Sequence, residues 1–248
     1  MSKSDVSRVA LVTGAAGGLG RAFAKRLAAG GHHLVLTDRS ACTDLARELR
    51  ASGVDVTEII SDLSDIADVR RMAGVALERA GRIDVLVNNA AFMPLVPFAE
   101  LTPDLWRQIQ TVNVDAPFFL AQALAPQMVQ RGWGRIVNLA SSTVWGPPPG
   151  MTAYATSKMG VIGLTRALAS ELGGSGITVN AISPGLTRHP GSAENLPEIA
   201  FENVRARQFI PRTELPDDLT GALAFLASDA AAFITGQVLN VDGGGFGF

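Results

Sequence analysis

A chain of 248 residues with 21 Lys and Arg against 23 Asp and Glu carries a formal net charge of −2; 47% of its residues are hydrophobic and 18% charged. That balance leaves no basic field for nucleic acid, and the apolar fraction is too high for a disordered chain. One cysteine, Cys42, excludes an internal disulfide scaffold, and three histidines offer little for a zinc site.

The apolar run near the N-terminus stops at Gly14 after about five residues, too short for a signal-peptide core. No run approaches the roughly 18–20 apolar residues of a membrane span. A cytoplasmic protein without membrane contact is expected. In chain order, residues 8–14 read as a buried strand and 19–29 as a helix. Residues 33–38 read as a strand, 43–52 as a helix and 54–60 as a strand. A helix over about 65–80 and a strand over 83–90 follow. Thr102 caps a helix that starts at Pro103 and runs towards Gln130. A strand over 134–141, a helix over 152–172 and a strand over 177–183 come next. Residues 188–216 hold five prolines and glycines (Pro190, Gly191, Pro197, Pro211, Pro216) and read as a long loop. A helix over 217–227 and a last strand from Gln237 close the chain.

Strands apolar on both faces, alternating with helices, specify an α/β fold: a doubly wound, Rossmann-type parallel sheet with helices on both faces. Nothing splits the chain, so residues 1–248 are expected to form a single domain. A long loop late in such a fold reads as a substrate lid at about 188–216.

The first strand runs into TGAAGGLG, residues 13–20, which opens a helix. Gly14 suits a tight turn, Gly18 a close backbone approach to a pyrophosphate, and Gly20 close helix–strand contact. Leu19 lies among them, at a helix N-terminus whose free N–H groups favour an anion. Asp38 ends the second strand where an acidic residue accepts from an adenosine ribose. A 2′-phosphate there would meet like charge, worth on the order of 4 kcal/mol at 4 Å and an effective dielectric of about 20. NAD is therefore expected over NADP, with Arg39 the one residue that argues otherwise. Asp62 and Leu63, after the third strand, read either as an adenine contact or as an ordinary helix-cap region.

Tyr154 is the only tyrosine, and Lys158 shares its helical face four residues on. A phenol near pKa 10 is a poor base, and lowering it by about three units needs roughly 4 kcal/mol. A nearby ammonium and an oxidised nicotinamide would both favour the phenolate. Ser141 or Ser142, at a strand end, would bind the reacting oxygen. Asn113 sits within an apolar helical stretch, and Pro117 cannot donate to its carbonyl. That carbonyl is free to take a water, and through it a proton relay from Lys158.

In this order and spacing the chain resembles a short-chain dehydrogenase/reductase along essentially its whole length. TGAAGGLG, NNAA (88–91), SPGLT (183–187) and ITGQVLNVDGG (234–244) resemble the family's motifs. The resemblance implies a catalytic set of Asn113, Ser141, Tyr154 and Lys158, and selects Ser141 over Ser142. It places the cofactor on Gly14, Gly18, Leu19, Gly20, Asp38, Asp62, Leu63, Asn89, Tyr154, Lys158, Pro184, Gly185 and Thr187. Two departures stand out: Ala91 replaces the usual glycine, and Thr187 follows Pro184 more closely than usual. The resemblance also implies a homotetramer, which would cover Phe246 and Phe248.

The implied reaction is hydride transfer between NAD and a secondary alcohol or ketone. Ser141, Met93, Leu95, Thr143, Trp145 and Tyr154 are the expected substrate contacts. Phe92, Val96, Val144, Met151, Leu186, Phe201 and Val204 are further candidates for the wall. An apolar wall suits an aromatic or bulky apolar small molecule, and PLVPF, GWGRIVNL and LTGALAFLASD resemble aryl secondary-alcohol dehydrogenases. Arg188, His189 and Arg205 lie near the lid, where solvated surface or a carboxylate contact is expected. An NADPH-dependent 3-oxoacyl thioester reductase and a non-catalytic NAD-sensing regulator remain open.

Overall fold

The computed structural model describes residues 7–246. Seven strands, β1 (Val9–Thr13), β2 (His33–Asp38), β3 (Val56–Ile60), β4 (Val85–Asn88), β5 (Gly134–Leu139), β6 (Ile177–Pro184) and β7 (Val238–Val241), form one sheet. Its order is β3-β2-β1-β4-β5-β6-β7, and every pair is parallel. β1, β4 and β5 are buried along their whole length, as strands covered on both faces must be.

The helices are α1 (Gly18–Ala29), α2 (Thr43–Ala51), α3 (Ile66–Ala80), α4 (Pro103–Gln110), α5 (Ala116–Arg131), α6 (Thr152–Leu172), α7 (Pro190–Asn195), α8 (Glu198–Arg205) and α9 (Pro216–Leu226). Phe23 and Leu27 of α1, Leu45 of α2, and Leu219 and Leu223 of α9 pack on one sheet face. Met72 of α3, and Leu120 and Leu124 of α5, pack on the other. The doubly wound expectation is met. The strand order reverses between β1 and β4, so their C-terminal ends open a crevice at the switch point.

Two expectations need correcting. The single helix from Pro103 is divided by a π-helical turn, Thr111–Asp115, between α4 and α5. Pro117 brings no N–H to the Asn113 carbonyl, so the α ladder opens there. The long loop over 188–216 contains α7 and α8. Pro190 opens α7, Pro197 caps α8 and Pro216 opens α9, so these prolines start helices rather than prevent them.

Candidate active site

Thr13, at the end of β1, fastens the two sides of the crevice. Its hydroxyl accepts from the Asn89 and Ala90 N–H groups, both at 3.0 Å, and Asn89 Nδ2 donates to the Thr13 carbonyl at 2.8 Å. Gly14 then turns with φ +66°, and a methyl on Gly20 would lie 2.1 Å from the Gly14 oxygen. The turn can close under α1 only with glycine at both positions. Asp38 sits against the same turn. Its carboxylate accepts from the Ala16 N–H and the Ser40 N–H, each at 3.1 Å. A glycine-floored crevice at a helix N-terminus, with a fixed carboxylate beside it, fits a dinucleotide whose ribose donates hydroxyls.

The space above Gly18 belongs to His189, because a methyl on Gly18 would lie 2.4 Å from His189 Cβ. His189 is thus a wall of the crevice and not solvated surface, and its Nδ1 accepts from Ser192 N–H at the start of α7. Arg188 is paired with Glu198 and lies over the Phe201 ring, so it is not held towards the crevice.

The crevice widens into a cavity of about 690 Å³. Among the expected site residues, Leu19, Asn89, Met93, Leu95, Ser141, Thr143, Tyr154, Lys158, Pro184, Gly185 and Thr187 line it. Met151, Leu186 and Val204 do so too. Trp145 does not: the turn that carries it leaves its ring about half exposed, and Pro147–Pro149 form the wall instead. Phe92, Val96, Val144 and Phe201 also lie outside the lining. Asp62 and Leu63 hold the connection between β3 and α3. The Asp62 carboxylate accepts from Ser64, and Leu63 packs on the core. Phe246, read from sequence as a surface to be covered by another subunit, lines this cavity, and Phe248 lies outside the described residues. Sequence reading missed Arg207 and Asn203 in the lining, since nothing local marks a residue at the end of a short helix as inward-facing.

Inside the cavity, Tyr154 and Lys158 are both buried on α6. Lys158 Nζ donates to the Leu139 carbonyl at 2.6 Å and lies 5.6 Å from the centre of the Tyr154 ring. Burial brings the Lys158 ammonium down to about 8. Burial also pushes the Tyr154 phenol up to about 12, against a smaller lowering by its hydrogen bond to Ser141. With Lys158 by itself beside it the phenol thus stands above its ordinary value, and the expected lowering falls to the ammonium and an oxidised nicotinamide together. Ser141 Oγ accepts from Thr143 N–H at 3.3 Å and from Thr143 Oγ1 at 2.9 Å. With its lone pairs engaged, its own proton goes to the Tyr154 oxygen, and a substrate oxygen beside Tyr154 would take that place. The link to Tyr154 favours Ser141 over Ser142 on geometry as well as spacing.

Asn113 is buried in the π turn. Its side chain accepts from Phe92 N–H at 2.8 Å and donates to the Phe92 carbonyl at 3.0 Å and to Ser157 Oγ at 2.9 Å. It braces the segment after β4 against α6, and so holds the cavity wall near Met93 relative to Tyr154. This accounts for a polar residue in an apolar helical stretch.

A family model described as enoyl-(acyl carrier protein) reductase matches residues 14–245. The chain is 40% identical over 240 residues to the (2S)-[(R)-hydroxy(phenyl)methyl]succinyl-CoA dehydrogenase subunit BbsD of Thauera aromatica, covering 96% of each chain. It is 35% identical over 239 residues to the 3-oxoacyl-[acyl-carrier-protein] reductase FabG of Thermotoga maritima, covering 96% of this chain and 97% of that one. Among solved structures, a blue fluorescent protein from a metagenomic library in complex with NADPH superposes with a TM-score of 0.90 at 38% identity, over 96% of this chain and 97% of that one.

Proposed function

Because the chain belongs to the short-chain dehydrogenase/reductase family, an oxidoreductase family, we propose that it interconverts secondary alcohols and ketones with NAD, on an aromatic or bulky apolar substrate. The observation that carries this reading is the convergence of Tyr154, Ser141 and Lys158 in one largely apolar cavity beside the glycine turn. A nicotinamide, when bound, supplies the hydride acceptor for oxidation and the donor for reduction. Gly14, Gly20, Asp38, Asn89 and the segment from Pro184 to Thr187 would hold it, whereas the close backbone approach expected at Gly18 is taken by His189.

The chain's own part is proton transfer and orientation. Tyr154 takes the hydroxyl proton of the alcohol, or gives one to the ketone oxygen. Ser141 donates its hydrogen bond to that oxygen and stabilises the charge it develops. Lys158 supports the phenolate, and its proton exchanges with solvent by way of water at the Asn113 carbonyl. Met93, Leu95 and Met151 exclude water from the substrate side. Asp38 accepts from ribose hydroxyls, which favours NAD. Exposed Phe233, Phe98 and Ile210 fit a chain that buries apolar surface against copies of itself, as in a homotetramer.

A panel of aryl and aliphatic secondary alcohols, followed by reduced-nicotinamide absorbance, tests the reading. Aryl alcohols are expected to give the highest kcat/KM, and no turnover across the panel would overturn it. A second reading, reduction of a 3-oxoacyl thioester, draws on Arg207. This cation lines the cavity and has no side-chain partner among the described residues. Faster turnover of an acetoacetyl thioester with NADPH than of any ketone with NADH would favour it.

A further inference from the structure

Glu214, in the segment between α8 and α9, is 5% exposed and is not used in the chemistry above. It fastens the chain just beyond β6 at three points. Its Oε2 accepts from the Gly185 N–H at 3.1 Å, its Oε1 accepts from the Thr187 hydroxyl, and its main-chain carbonyl accepts from the Arg188 N–H at 2.8 Å. Gly185 and Thr187 both line the cavity. A methyl on Gly185 would lie 2.9 Å from Glu214 Oε2 and 3.1 Å from Asp242 Cβ.

A carboxylate only accepts hydrogen bonds, whereas a hydroxyl has one proton to give and two lone pairs. With its proton committed to Glu214, the Thr187 oxygen has only lone pairs to offer the cavity. The Leu186 and Thr187 N–H groups have no partner among the described residues. The segment therefore combines free N–H donors with one oxygen fixed as an acceptor. A primary carboxamide, with its carbonyl and NH2, complements that set. Burying a carboxylate is unfavourable, and here burial pushes Glu214 up to about 7. The acceptor-only carboxylate is therefore the form present above about pH 7, where the Thr187 hydroxyl is committed to it as a donor.

We propose that Glu214 is a positioning residue that fixes the Thr187 hydroxyl as an acceptor for the carboxamide NH2 of the nicotinamide; this rests on the cofactor reading above. In Glu214→Gln, the side-chain oxygen still accepts from Gly185. Its NH2 now donates to Thr187 and reverses the hydroxyl, which then points a proton at the carboxamide NH2.

The test compares NAD with 3-acetylpyridine adenine dinucleotide, which carries a methyl in place of that NH2, in wild type and variants. Wild type is expected to favour NAD by at least about tenfold, both in KM and in the Kd of a fluorescence titration without substrate, and Glu214→Gln to lose most of that preference in both. Comparing variants cancels the analogue's own difference in redox driving force. Thr187→Val is expected to lose the preference too, and Thr187→Ser to keep it. These variants carry the test should Glu214→Gln fold poorly by thermal melting. Retention of the wild-type ratio in a folded Glu214→Gln or in Thr187→Val overturns the proposal. Failure of the wild type to bind either dinucleotide overturns the cofactor reading itself, and the proposal with it.

Discussion

Lys158 Nζ stands 5.6 Å from the centre of the Tyr154 ring and gives its hydrogen bond to the Leu139 carbonyl. The ammonium is thus anchored at the end of β5, beside the phenol. With Tyr154 pushed up to about 12 by burial, forming its phenolate at neutral pH costs roughly 7 kcal/mol. Cationic charge near the phenol has to supply that, and Lys158, itself down at about 8, is the cation this chain provides. Alcohol oxidation is expected to quicken as pH rises towards about 8 and then flatten, as deprotonation of the phenol becomes easier while Lys158 loses its charge. Lys158→Met should slow turnover and move the rising limb to more alkaline pH. Tyr154→Phe should cost about a hundredfold to ten-thousandfold in kcat, the usual scale of general acid–base catalysis. It should still bind NAD in a fluorescence titration. A Lys158→Met enzyme with the wild-type pH profile would remove the lysine from the mechanism.

The Asp38 carboxylate is held by Ala16 and Ser40, so it cannot swing away from a 2′-phosphate without breaking two hydrogen bonds. Asp38→Ser should lower the ratio of kcat/KM for NAD over NADP by about tenfold to a hundredfold, which corresponds to about 1.4–2.8 kcal/mol of lost discrimination. Steady-state rates with the two cofactors check this. A wild type that uses NADP as well as NAD would mean that Arg39, or a movement of the turn, relieves the repulsion.

The parts of this molecule legible in its sequence are those where one residue type satisfies one physical demand. Strands buried on both faces are rich in apolar residues, so β1 and β4 declare themselves, and β5 does so through Ile136, Val137 and Leu139 despite its buried Arg135 and Asn138. A methyl at residue 20 would lie 2.1 Å from the Gly14 oxygen, so the turn needs glycine there, and Tyr154 has no rival tyrosine. The π turn at Asn113 is not legible, because the same apolar spacing suits an α or a π ladder until a tertiary partner such as Phe92 fixes the side chain. The short helices α7 and α8 hide behind prolines that serve equally as helix starters and as loop residues. Trp145 reads as a pocket residue because an aromatic beside a catalytic serine is a natural wall. The direction of its turn depends on the three prolines that follow. Glu214 gives no local signal, since burial of a carboxylate is a property of the segments packed around it.

Pro117 offers a test of the proton path. Replacing it by Ala restores an N–H opposite the Asn113 carbonyl and lets the α ladder close over the π turn. The carbonyl would then be engaged within the helix, and Asn113 would be drawn away from Phe92 and Ser157. Pro117→Ala should leave the global fold in place by circular dichroism but lower kcat and change the pH dependence of oxidation. A wild-type kcat and pH profile would show that the turn is a simple proline kink with no part in proton transfer.

The buried carboxylate of Glu214 sets the last prediction, on stability. Burial, with Asp218 and Asp242 adding like charge, raises it from 4.5 in the unfolded chain to about 7 in the fold, against lowering by Thr187 and Gly185. The fold therefore favours the protonated form. The stabilisation that protonation supplies is fully present below about 4.5 and is lost as pH rises through about 7. Above neutral pH the charged form forgoes roughly 3 kcal/mol, taken from the shift alone. Glu214→Gln stays neutral throughout and finds partners in Gly185 and Thr187. Its melting temperature should match the wild type near pH 5 and exceed it at about pH 8, by some 5 °C or more on the usual scaling for a chain of this size. Groups that titrate alike in both proteins cancel in that difference. The same substitution is expected to weaken discrimination at the nicotinamide carboxamide, so stability and cofactor recognition should move in opposite directions. A variant that melts lower than the wild type at both pH values would instead make Glu214 an ordinary structural clasp, whose two hydrogen bonds outweigh the desolvation of its charge.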